Sequence, residues 1–124
     1  MTNDKIYDLE ERTALFSEAV IEFAKLVPQN AITTNLIIQF VKSGTSMGAN
    51  YCEADAAESR KDFEHKMGIC KKEAKETRYW LRIIAKTCPE LKDKAEILWK
   101  ESHELLLIFS AIIKNTKNGD QKTV

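Results

Sequence analysis

The 124-residue chain has four glycines and two prolines, too few to reverse direction roughly every ten residues as a β-sandwich must. Helices joined by short connections are what remains. The three cysteines, at 52, 70 and 88, make neither an even set nor a C-x-x-C pair, so no disulfide framework and no zinc site is indicated. They read as small apolar packing residues. The longest apolar runs, 105–109 and 111–113, fall far short of the ~20 residues that cross a bilayer. Met1 leads into Thr2, Asn3, Asp4 and Lys5, with neither a basic n-region nor an apolar h-region. The expectation is a cytoplasmic protein without a membrane partner. Charge of one sign is also missing: 19 Lys+Arg stand against 19 Asp+Glu, which excludes a polybasic tail and an acidic polymer.

What is present is helical period. At 44% apolar and 31% charged residues, a domain of this length buries roughly two-thirds of the surface its unfolded chain exposes. Leu9, Thr13, Phe16, Val20, Phe23 and Val27 form one amphipathic stripe, opened by Asp8 and Glu11 in capping-box spacing and closed by Pro28 and Asn30. From 31 to about 58, two adjacent stripes run together: Leu36, Phe40, Met47 and Ala54 beside Ile37, Val41, Gly44, Gly48 and Tyr51. Each glycine inside a helix costs about 1 kcal/mol against alanine, and close approach of a second helix is the natural compensation. Ser59 with Asp62 three residues later reads as the N-cap of a third helix. Because no Gly or Pro marks that break, one continuous helix and a domain-swapped dimer is the alternative.

The third helix carries Phe63, Met67, Cys70, Ala74, Thr77, Leu81 and Ile84, and the fourth repeats the alternation with Leu91, Ala95, Leu98, Ser102, Leu105, Phe109 and Ile112. A hairpin near Thr87 and Cys88, with Pro89 in the first turn after it, pairs Phe63 with Ile112, Cys70 with Leu105, Thr77 with Leu98 and Ile84 with Leu91. The predicted fold is an all-α, antiparallel up-down four-helix bundle over 1–114, followed by a disordered tail over 115–124.

Chemistry has no visible anchor. His65 and His103 lie outside the Glu-x-x-His pairs that di-metal bundles use, and Gly44 and Gly48 follow no strand. No catalytic residue, metal or cofactor is assigned, and an enzyme is not expected. Charge is uneven, however: residues 1–59 carry net −5 and residues 60–86 net +5. On the outer face of the third helix, Lys61, His65, Lys72, Lys75, Tyr79, Arg82 and Lys86 form a stripe that can track a phosphate backbone or simply face solvent. Gly44, Gly48, Asn50, Glu53 and Lys66 are read as structural; Glu53, in a crowded helix, needs a partner, and the turn near Ser59 brings it level with Lys66. Filling the core leaves Ile38, Ile69, Trp80, Ile83, Trp99, Leu106 and Ile108 over, more apolar surface than a lone bundle hides, so self-association is the leading inference.

The segments Ser43-Gly44-Thr45-Ser46-Met47-Gly48-Ala49-Asn50-Tyr51-Cys52-Glu53-Ala54, Ser59-Arg60-Lys61-Asp62-Phe63 and Lys71-Lys72-Glu73-Ala74-Lys75-Glu76-Thr77-Arg78-Tyr79-Trp80-Leu81 together resemble the bacterial four-helix bundle family encoded within 23S rRNA intervening sequences. The resemblance implies an up-down bundle assembled as a ring-like homopentamer, with no established enzymatic activity. A related branch, the accessory variability determinant proteins of diversity-generating retroelements, binds nucleic acid and a reverse transcriptase through a basic barrel surface; this chain departs from it in its neutral charge. The primary expectation is a homo-oligomeric scaffold that recruits another macromolecule. The alternative is an RNA-binding accessory protein that uses the basic stripe.

Overall fold

Leu9, Thr13, Phe16, Val20 and Phe23, spaced three and four apart, share one side of a helix and are all buried on α1 (Leu9–Leu26). The computed structural model describes residues 8–123, with side chains for 8–118. Three more helices follow: α2 (Thr33–Asp55), α3 (Arg60–Thr87) and, after a 3-10 turn at Pro89–Leu91, α4 (Lys92–Thr123). Each packs on its sequence neighbours, and α4 returns to touch α1. This is the predicted all-α, four-helix bundle, and the break at Ser59 makes it a hairpin within one chain.

Local chemistry sets the helix ends. Asn30 Oδ1 accepts from the Ile32 and Thr33 N–H groups at 2.9 and 3.0 Å, while the Thr33 hydroxyl donates to the Pro28 carbonyl, so α2 starts two residues later than the pattern predicts. Ser59, extended at φ −136°, accepts from the Asp62 N–H at 3.0 Å, the predicted cap of α3. Asp8 is a correction. Its backbone, at φ −97° and ψ 25°, lies outside the extended region that aims a capping side chain, and only its carbonyl takes part, accepting from Arg12 N–H at 2.7 Å.

Side chains crossing the helix interfaces fix the register. Thr77 Oγ1 donates to Ser43 Oγ at 3.1 Å and Cys70 Sγ to the Met47 carbonyl at 3.5 Å, joining α3 to α2. Ser102 Oγ donates to the Ala74 carbonyl at 2.8 Å, joining α4 to α3 in the predicted pairing to within one residue. Leu105, Leu98, Leu91, Cys70, Thr77 and Ile84 are buried, and Phe63 and Ile112 lie half-buried against the core at the bundle's end.

The C-terminal segment departs from expectation. The backbone of α4 stays helical to Thr123 where a disordered tail was predicted from 115. A helix satisfies its own backbone without an apolar face, no proline interrupts this stretch, and the Thr116 hydroxyl donates back to the Ile112 carbonyl at 2.9 Å. Residues 1–7 of the predicted domain, and Val124, lie outside the described residues.

Candidate functional site

The basic stripe is where the helical period puts it. Lys66, Cys70 and Thr77 turn α3 toward α2, and Ala74 and Arg78 turn it toward α4. Lys61, His65, Lys72, Lys75, Tyr79, Arg82 and Lys86 occupy the side left over, and all seven are exposed. Tyr79 is 54% exposed and meets Trp80 edge-on at 4.9 Å.

The five residues read as structural fall on α2 and α3. A Cβ on Gly44 would stand 2.7 Å from Val20 Cγ2, and one on Gly48 would stand 3.4 Å from Thr13 and Ser17. Gly44 lets α1 and α2 approach closely, the compensation the sequence called for, while at Gly48 a Cβ would make only ordinary contacts. Asn50 donates its amide to the Ser46 carbonyl at 2.9 Å within its own helix. Lys66 Nζ meets Glu53 Oε1 at 2.7 Å, the predicted pair, and this hydrogen bond raises the lysine above its ordinary value. Glu53 is exposed, so the pair is a surface bridge across the α2–α3 groove and not the answer to a buried charge.

A second charged feature joins α1 to α4. Arg12 donates from Nε and Nη2 to both Glu101 oxygens at 2.8 Å, and Nη2 also meets Glu104 Oε1 at 2.9 Å. The hydrogen bond it donates to Glu101 leads the causes that hold this guanidinium charged. The clamp is not visible in the sequence because its partners stand 89 residues apart and no turn links α1 directly to α4.

On the opposite side of α1, a groove of 660 Å³ runs between α1 and α2, its rim carrying Asp8, Glu10, Glu11 and Glu18 and its floor the small residues Gly48 and Ala49. Cys52 lies on this groove and is exposed, a correction to its reading as a packing residue. Cys70 and Cys88 are buried as read, and burial pushes the Cys70 thiol up to about 12.

The apolar surplus is real but sits elsewhere. Leu106 is buried, and Ile69, Trp80, Ile83, Trp99 and Ile108 are half-buried. Trp99 is covered by Arg78, 4.4 Å above its ring, and stacks with His103 at 5.4 Å, while Trp80 donates to Glu76 at 3.3 Å. Of the predicted set only Ile38 is fully exposed. Among the described residues the exposed large apolar side chains are, besides Ile38 and Tyr79, Leu15, Ile21 and Leu26 on α1, Ile97 and Leu107 on α4, and Ile32 just before α2. Their signal was available: each lies off the core stripe of its own helix.

Among the described residues no group of three His, Cys, Asp or Glu is placed to hold a metal ion, and no helix is long and apolar enough to cross a membrane. The model of the 23S rRNA-intervening sequence protein family matches residues 7–111. Among solved structures, the chain is similar to a protein of unknown function from the S23 ribosomal protein family from Bacteroides thetaiotaomicron, with 32% identity, 86% of this chain and 98% of that chain covered, and a TM-score of 0.79. No curated protein matches it.

Proposed function

Since the chain belongs to the 23S rRNA-intervening sequence protein family, we propose that it is a non-enzymatic scaffold, a homo-oligomeric bundle whose surface recruits another macromolecule. The family resemblance supports five copies. The observation that carries self-association is the apolar surface a single protomer leaves open, with Leu15 at 54%, Ile97 at 69% and Leu107 at 55% exposure around the seam of α1 and α4. A groove of 510 Å³ between α1 and α4 is lined by Leu15, Phe16, Ala19, Ile97 and Leu98 on its apolar side and bordered by Lys100 and the Arg12–Glu101–Glu104 clamp. Contiguous apolar surface of this kind marks interfaces. Leu15→Glu tests the reading: the helical circular dichroism stays as in wild type while the sedimenting mass falls toward the protomer's. A wild-type protein that already sediments at 14.2 kDa contradicts it.

A second reading rests on the exposure of the α3 stripe, whose cations are free to meet phosphates. It predicts measurable RNA affinity at low salt that weakens as salt rises. Absence of either result rejects it.

A further inference from the structure

We propose that α1 of one copy seats on α3 of the next, the acidic and apolar strip of the first meeting the basic stripe of the second. This contact rests on the homo-oligomer reading above. Its occupant is a second copy of this chain, and charge complementarity is the argument. α1 holds four acidic and two basic side chains, net −2, and residues 60–86 carry net +5. Among the described residues, Glu11 and Glu18 on α1 and Lys72, Lys75 and Arg82 on α3 make no ion pair. Within one protomer they have no way to neutralise each other, because α1 and α3 stand diagonally, each packed on α2 and α4. Only a neighbouring copy brings the two surfaces together, and such a head-to-tail contact propagates into a ring when its rotation closes.

Heights agree with this. In a ring whose axis follows the bundle, copies are related by rotation alone, so residues meet at the level they hold in one protomer. Val20 abuts Gly44, whose neighbour Ser43 bonds Thr77. Val20 and Thr77 therefore share a level, and α1 and α3 run the same way. Glu18 then stands near the level of Lys75, and Ile21 within about a turn of Tyr79, an exposed apolar side chain and an exposed aromatic one at similar height. Glu11 comes within about a turn of Gly68, which lies between His65 and Lys72. Gly68 is exposed on the outer side of α3, and a Cβ there meets nothing within 4 Å. A glycine weakens an exposed helix, and nothing in the protomer uses the notch it leaves. An approaching α1 does.

The test is light scattering on the full chain at low and high salt, for wild type, for Glu11→Lys with Glu18→Lys, and for Lys72→Glu with Lys75→Glu. Wild type assembles, and each double variant keeps its helical circular dichroism but dissociates, with an apparent Kd weakened roughly tenfold or more. Mixing the two variants restores association, because α1 of each then finds an α3 of opposite charge on the other; a ring with an even number of copies closes fully in this way, and a ring of five keeps one mismatched contact and recovers only in part. Gly68→Leu, placed in open space, also keeps the fold and loses assembly. If wild type assembles and both double variants keep its mass, this contact is wrong while the scaffold reading stands. A monomeric wild type removes the scaffold reading itself and the contact with it. If the variants keep wild-type mass and Lys72→Glu with Lys75→Glu instead loses a single-stranded RNA probe, the stripe is a nucleic-acid face and the contact is overturned.

Discussion

A methyl group on Gly44 would sit 2.7 Å from one Val20 methyl and 2.9 Å from the other. Valine has a single stiff χ1 and no rotamer that withdraws both, so Gly44→Ala overpacks the α1–α2 contact. The gain in helix propensity offsets about 1 kcal/mol, and overpacking costs about 1–3. Gly44→Ala therefore lowers stability by about 1 kcal/mol in urea unfolding. Gly48→Ala, whose nearest contacts would be ordinary at 3.4 Å, is neutral or slightly stabilising. The cysteines separate in the same way. Ellman's reagent at mildly alkaline pH labels the exposed Cys52 quickly, and the buried Cys70 and Cys88 only as the protein unfolds. Burial raises the Cys70 thiol from 9.0 to about 12 in the fold. Its contribution to stability is thus intact below pH 9 and falls as pH rises from 9 toward 12, since the unfolded chain loses this proton first. The fall in melting temperature across that window is smaller in Cys70→Ala.

Each helix is bounded by chemistry with a checkable effect. Ser59→Ala removes the hydroxyl that caps α3 and lowers stability by about 1 kcal/mol in urea unfolding. The α2–α3–α4 framework was legible because it rests on period and register. Four-three spacing located the stripes, and counting back from the turns paired Glu53 with Lys66 and Thr77 with the level of Leu98. Three features were not legible. Asp8 has the right neighbours for a cap but the wrong backbone angles, which a residue pattern does not contain. The helix beyond Ile113 has no apolar period in the sequence to announce it. Trp80 and Trp99 look like surplus on a helical wheel, yet their length lets them lie along grooves under Arg78 and beside Glu76. That covering left the true surplus to the shorter side chains at the helix corners, Leu15, Ile97 and Leu107. The α3 stripe was read correctly as an outer face because position alone decides exposure there; what it binds is a matter of partners.

At the scale of the whole molecule, α1 is held to α2 by glycine contacts and to α4 by the Arg12 clamp. Arg12→Ala removes a bidentate pair that is partly exposed, at 16% for the arginine and 32% for Glu101, and lowers thermal stability by about 1 kcal/mol in calorimetry. Beside that clamp lies the apolar seam, and across the molecule lies the uncompensated charge of α1 and α3. Both call for neighbours. The mass of the full-length wild-type chain at micromolar concentration, measured by light scattering on a sizing column, addresses that demand most directly. A single species at a multiple of 14.2 kDa is expected, five copies by family resemblance; a single species at 14.2 kDa, unchanged as concentration rises, would contradict self-association.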